Sequence, residues 1–274
     1  MRINKIDRRM GDYFSKVKPG HILWGRRLNC TLVGDRWHRR WYQAPRRSLP
    51  SSVDLRPQMI PVRDQGQEGS CTSFGHGGNA DWRQLQGNHV MKFHPTFKSA
   101  ACNFFYGQER TIDGDFSSDA GSQVATGAQV ATTVGFISEE VFPYSPSTLY
   151  QEPSAIDLLW AKTHRLTSAL PIDLTDETAI MGALANNDPV VFGWQVYASI
   201  QEVGSDGILP MPGWFDTVEG GHCTVVMGYK IINGKLYFIV RNSWGSAWAD
   251  NGYFYMPAAY ITDPNLASDG WVIK

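Results

Sequence analysis

The apolar positions of this chain change period near residue 190. Before that point they recur at helical spacing. Phe74, Ala80, Trp82 and Leu85 mark a helix from Cys71 to about Gln86; Thr96, Phe97, Ala101, Phe104 and Phe105 mark one over 95–110; Val124, Ala128, Val130, Ala131 and Val134 mark one over 122–134. Shorter helices are predicted around 154–162 and from Glu177 to Ala185, the latter closed by Asn186-Asn187-Asp188-Pro189. From Val190 the pattern is extended. Strands are predicted over Val190–Val196, Cys223–Ile231, Lys235–Arg241 and Gly252–Met256, with a short one at Val53-Asp54-Leu55-Arg56 stopped by Pro57. Asn233-Gly234 joins two of these strands and is a strong hairpin signal. Helices first and strands later predict an α+β fold with segregated halves. The helix from Cys71 carries Gly75, Gly77 and Gly78, each costing about 1 kcal/mol against alanine. Such a helix persists when buried, with another element close to its backbone.

Composition sharpens this outline. The 274 residues, 42% hydrophobic and with ten tryptophans, suffice for one large domain or two subdomains around a cleft. No run of 18 apolar residues predicts a membrane span, and the basic N-terminus has no apolar core before a small-residue cleavage site. Cysteines stand only at 30, 71, 102 and 223, without a short-range pairing pattern, so a fold independent of disulfides is expected. The formal net charge of -1 hides an asymmetry: residues 1–50 hold 13 Lys/Arg against 3 Asp/Glu, the remainder 12 against 23. A basic arm on an acidic body lies on its own domain, or touches nucleic acid or an anionic surface. Trp24, Trp37 and Trp41 within it favour docking over a solvated tail. The expected organisation is a basic N-terminal segment over 1–50 and a main domain over 51–274. The helical part of that domain spans about 65–165, and its β part spans about 51–64 and 166–274.

Candidate chemistry gathers around Gln65-Gly66-Gln67-Glu68-Gly69-Ser70-Cys71. A cysteine at a helix N-terminus feels the positive end of the helix dipole, which favours the thiolate. A cysteine is by default a small buried apolar residue, so the motif needs a base and an orienting group. The hairpin offers both: Gly220-Gly221-His222 enters its first strand, and Arg241-Asn242-Ser243-Trp244-Gly245 leaves its second. Register tests the pairing. A two-residue loop at Asn233-Gly234 pairs Val225 with Asn242 and puts His222 and Asn242 on opposite faces. A shared face requires a three-residue loop, which pairs Thr224 with Asn242, or a compensating bulge.

Gln65 and Cys71, Gly221-His222 with the apolar strand to Gly228-Tyr229, and Asn242-Ser243-Trp244-Gly245 with Trp248 and Gly252-Tyr253 together resemble the papain family of cysteine peptidases. The resemblance runs from about residue 50 to the C-terminus and is nearest to the branch found in bacteria, archaea and large viruses. It implies a two-subdomain fold, a helical left and an antiparallel β-barrel-like right, with the active-site cleft between them. It also implies that Cys71 is the nucleophile, His222 its base and proton donor, and Asn242 the orienter. Trp244 would shield the His222–Asn242 bond, and the Gln65 amide with the Cys71 N–H would form the oxyanion hole. Less direct likenesses make Gly121 (in Ala120-Gly121) a backbone partner of the extended substrate, or simply the turn before a helix. Asp269 (in Ala267-Ser268-Asp269) would be a carboxylate near the second substrate pocket, favouring a basic P2 residue. Glu68 stands where the family commonly has a disulfide cysteine, Thr72 where it has tryptophan, and Cys223 where it has alanine. Cys71, His222 and Cys223 are too poor a set for zinc, and no metal or cofactor is expected. The expected partners are a protein or peptide substrate, and the main domain for the arm, which the resemblance casts as a segment gating the cleft; no membrane insertion is expected. An acyl-transferase or transglutaminase-type enzyme on the same triad stays open, as does a non-catalytic protein whose basic arm holds nucleic acid or an assembly partner.

Overall fold

The structure, a computed structural model, describes residues 41–45, 48–86 and 98–274. The readings of residues 1–40, of Arg46-Arg47 and of the first residues of the helix expected over 95–110 lie outside the described residues. The helical elements are α1 (Cys71–Leu85), α2 (Cys102–Asp113), α3 (Val124–Thr133), α4 (Ala155–Thr163), α5 (Glu177–Ala185) and α6 (Ala258–Ile261). The strands are β1 (Val53–Asp54), β2 (Ala169–Ile172), β3 (Val190–Tyr197), β4 (Val218–Ile232), β5 (Lys235–Arg241), β6 (Tyr253–Pro257) and β7 (Ala267–Ile273). All pair antiparallel in the order β2-β7-β3-β4-β5-β6, with β1 added on β4. The path ends at β2 and β6, so among the described residues the sheet is curved but open rather than a closed barrel.

Helix α1 is the axis of the molecule, with residues 71–83 all buried. Its glycines are the reason it fits. A Cβ on Gly75 would stand 2.8 Å from Cys223 Sγ, and one on Gly78 3.7 Å from Val225 Cγ2, so the helix lies directly on the odd-numbered face of β4. Gly75 lies one turn along from Cys71.

The main core includes Trp82, Phe105, Phe192, Trp194, Phe238 and Phe254, each worth roughly 1.5–3 kcal/mol on burial. A satellite of Ala101, Phe104, Ile137, Phe142 and Ala161 underlies α2 and α4. The stretch around Tyr42 is fastened to the sheet and to Asp188. Tyr42 is buried; its N–H donates to Pro171 O (2.8 Å) and its hydroxyl to Asp188 Oδ2 (2.8 Å). Asp188 also binds Arg83 Nη1 (2.9 Å), Lys274 Nζ (2.6 Å) and Asn186 Nδ2 (2.7 Å). Burial alone would raise its pKa, but hydrogen bonds from Lys274 and Asn186 and the charge of Arg83 hold it below the usual carboxylate value.

Candidate active site

Cys71 is the first residue of α1 and is wholly buried. The loop before it turns at Gly66 (φ +58°), whose N–H donates to Asp64 Oδ1 at 2.8 Å. Asp119 closes the far end, accepting from Gly69 N (2.9 Å) and from the Tyr106 hydroxyl (2.7 Å). The Tyr144 hydroxyl spans the loop, donating to Gln65 O (2.8 Å) while pairing with Ser70 Oγ (2.8 Å). Gln65 and the start of α1 are thus held by one side chain.

His222 and Asn242 share a face because of a bulge. The hairpin loop has two residues, with Asn233 at φ +50° and Gly234 at φ +76°, and pairing from Ile232–Lys235 continues to Gly228–Ile239. The next pairs are Val226–Val240 and Val225–Arg241, so Met227 is the extra residue. Its carbonyl accepts from Leu55 N (2.9 Å), just past β1. The shift sets Thr224 opposite Asn242, and His222 lies on the same face as Thr224.

His222 Nε2 lies 2.8 Å from Asn242 Oδ1, and Ser243 N–H donates to that same oxygen at 2.9 Å. A backbone N–H can only donate, so the Asn242 atom is the carbonyl oxygen and His222 carries its proton on Nε2. Nδ1 then carries the lone pair of the neutral ring. The Trp244 ring stacks on the imidazole (5.0 Å between centroids, 20°), and Trp248 stands edge-on against Trp244 at 4.7 Å. Burial pushes the His222 pKa down to about 4, against the opposing hydrogen bond to Asn242.

Gln65 is bound to the loop that carries Asn242. Gln65 N donates to Ser243 O (2.8 Å), Gly245 N to Arg63 O (3.1 Å), and Ser243 Oγ–H to Gln65 Oε1 (2.5 Å). The contact to the Glu68 carbonyl, which can only accept, fixes which end of the amide is nitrogen. Its Nε2 donates to Glu68 O at 2.8 Å, which uses one of two hydrogens. Arg241 holds the same segment, donating to Ile60 O and Pro61 O (2.9 Å each).

The substrate-side candidates sit in bonded positions. Gly121 has φ +76°, and its N–H donates to the Tyr106 hydroxyl at 2.9 Å. Asp269 (φ +62°) accepts from the Trp271 indole N–H (2.7 Å) and from Ala125 N (3.3 Å), at the start of α3. Sequence reasoning did not single out Ser243, Arg241, Tyr144, Tyr106 or Asp119 as site residues. Only Ser243 and Arg241, flanking Asn242, carry a signal that could have found them. Among the described residues no disulfide forms, Cys71, Cys102 and Cys223 are buried thiols, and no His/Cys/Asp/Glu group is arranged to hold a metal ion. No helix among them is long and apolar enough to cross a membrane.

This arrangement has counterparts. The profile of the papain family cysteine proteases matches residues 49–269. The chain is 34% identical over 227 residues to an uncharacterized peptidase C1-like protein, L477, of Acanthamoeba polyphaga mimivirus, covering 80% of this chain and 71% of that one. It is 27% identical to oryzain gamma chain of Oryza sativa subsp. japonica, covering 85% of this chain and 61% of the plant protein. Among solved structures, xylellain, a cysteine protease from Xylella fastidiosa, superimposes with a TM-score of 0.78 at 31% identity, covering 85% and 90% of the two chains. Procathepsin L 3 of Tenebrio molitor larval midgut shares the fold, with a TM-score of 0.67 at 22% identity over 96% and 78%.

Proposed function

Because the chain belongs to the papain family of cysteine peptidases, we propose that it hydrolyses peptide bonds within protein or peptide substrates through Cys71, His222, Asn242 and Gln65. The observation that carries this reading is the His222 Nε2–Asn242 Oδ1 bond of 2.8 Å, with the amide fixed by Ser243 N–H. It leaves Nδ1 to take the Cys71 proton. The thiolate attacks the scissile carbonyl, and the oxyanion that forms is met by the Gln65 Nε2–H and the Cys71 N–H. The imidazolium protonates the departing amine, giving a thioester. His222 then takes a proton from water, the hydroxide attacks the thioester, and the acid leaves as the thiol is restored. Trp244 keeps solvent from the His222–Asn242 bond, which strengthens it. The positive charge of residues 1–50 against an acidic body, and the anchoring of Tyr42, support an N-terminal segment that gates the cleft.

The test is hydrolysis of a fluorogenic peptide panel by the full chain, by a chain lacking residues 1–40 (which keeps Tyr42), and by Cys71→Ala. Hydrolysis lost in Cys71→Ala and raised by the truncation is expected. Activity surviving Cys71→Ala would remove the nucleophile, and a folded truncation with unchanged activity would remove the gate. Varying P2 in the same panel tests Asp269. A preference for Arg or Lys that vanishes in Asp269→Asn supports a carboxylate near that pocket; no such preference eliminates it.

A further inference from the structure

At the first turns of α1 three polar side chains, Thr72, His76 and Glu109, are buried among α1, α2 and α3. Thr72 Oγ–H donates to Glu109 Oε2 at 2.7 Å, and His76 Nδ1 lies 2.8 Å from Thr72 O. A carbonyl can only accept, so His76 carries its proton on Nδ1. Both polar groups of the residue that follows the nucleophile are therefore gripped, the hydroxyl from α2 and the carbonyl from one turn down α1. The grip is closed from the third side. A Cβ on Gly127 of α3 would stand 2.3 Å from His76 Cε1 and 2.5 Å from Glu109 Oε1, and the His76 ring stacks on Phe105 (5.7 Å, 22°). Thr72 and Glu109 have no exposed surface and His76 is 1% exposed. Glu109 Oε1 and His76 Nε2 have no hydrogen-bond partner, and burial has opposite effects on the two groups. It raises the Glu109 pKa well above the carboxylate range and lowers that of His76 to about 4. Burial thus disfavours the charged form of each.

We propose that Glu109 is a positioning residue for the nucleophile: acting through Thr72, and with His76 on the other side, it fixes the first turn of α1 and hence the direction of Cys71. This rests on Cys71 being the nucleophile. A polar contact from α2 takes over where the family commonly seats a tryptophan against the helix start. What Glu109 supplies is a hydrogen-bond acceptor of the right length for the Thr72 hydroxyl.

The test compares Thr72→Val, Thr72→Ser, Glu109→Leu and Glu109→Gln in the full chain. Steady-state kinetics are read together with the rate at which iodoacetamide alkylates Cys71, followed by the mass of the Cys71 peptide. Thr72→Val and Glu109→Leu should lower kcat roughly 10- to 100-fold while KM stays within about threefold, with slower Cys71 alkylation. Thr72→Ser and Glu109→Gln should return to within about threefold of the parent. A folded Thr72→Val with parental kcat overturns the proposal, as does a Thr72→Ser or Glu109→Gln as impaired as the disruptive variants. Should Glu109→Leu not fold, the Thr72 pair decides, because valine keeps the volume of threonine. Failure of the underlying reading looks different: the parent would alkylate at Cys71 no faster than an ordinary thiol, and Cys71→Ala would stay active.

Discussion

Gly75→Ala probes how tightly the helix that begins at Cys71 is seated. Its Cβ would come 2.8 Å from Cys223 Sγ and 3.4 Å from Val191 Cγ1, against an optimum of roughly 3.5–4.0 Å for carbon contacts. The shortfall of about 1 Å must be met by moving α1 from β4, since both sides are buried. Overpacking of this kind costs typically about 1–3 kcal/mol. Replacing a helical glycine by alanine returns up to about 1 kcal/mol, so a net loss near 1–2 kcal/mol is expected. The displaced turn is the one below Cys71, so kcat/KM should fall along with stability. Cys223→Ala removes the sulfur and makes room. Chemical-denaturant unfolding of the parent, both single variants and the double variant then gives a coupling free energy. Gly75→Ala in the Cys223→Ala background should be nearly neutral, with a coupling of about 1–2 kcal/mol and partial recovery of kcat/KM. A coupling below about 0.5 kcal/mol, or an unperturbed Gly75→Ala, would refute the idea that this contact sets the height of Cys71.

Two further outcomes concern His222 and His76. Asn242→Ala frees the His222 ring to adopt either tautomer and should lower kcat roughly 10- to 100-fold, about 1.4–2.7 kcal/mol of barrier, with KM little changed in steady-state assays. His76 is held near pKa 4 by burial against about 6.5 unfolded. Between those values the unfolded chain binds more protons, so the stability this neutral ring contributes is complete above about pH 6.5 and is lost as the pH falls towards 4. Relative to His76→Phe, the parent should therefore weaken by roughly 2–4 kcal/mol over that interval in unfolding titrations. Equal pH slopes for the two proteins would contradict the assignment.

Much of the fold was legible because burial and periodicity coincide. Helix α5 and strand β5 have the bounds their apolar pattern predicts. The catalytic candidates were legible for another reason: register arithmetic required a bulge or a longer loop if His222 and Asn242 were to meet, and the bulge is at Met227. What stayed hidden depends on contacts between distant segments. Strand β7 was missed because Asp269, at φ +62°, and Gly270 interrupt its alternation. Yet β7 joins β2 to β3. Strand β2, at Ala169-Leu170-Pro171-Ile172, contains a proline, tolerable because it lies at the edge of the sheet. Tyr144 and Asp119 each sit in irregular chain far from the residues they hold, Gln65 and Gly69. No local pattern ties such pairs together.

The Asp188 anchor bears on what a cut in the chain would do. Tyr42 is fastened to the body by its own hydrogen bonds, and it lies on the N-terminal side of Arg46-Arg47. Breaking the chain at that dibasic pair would not by itself release what precedes it. The severed piece would change from a tethered ligand, held at high effective concentration, to a bimolecular one. Its departure would then depend on dilution: a nicked sample would keep the piece bound at high protein concentration and shed it as the concentration falls. If the segment gates the cleft as proposed, its release by cutting would be a matter of mass action as much as of bond cleavage.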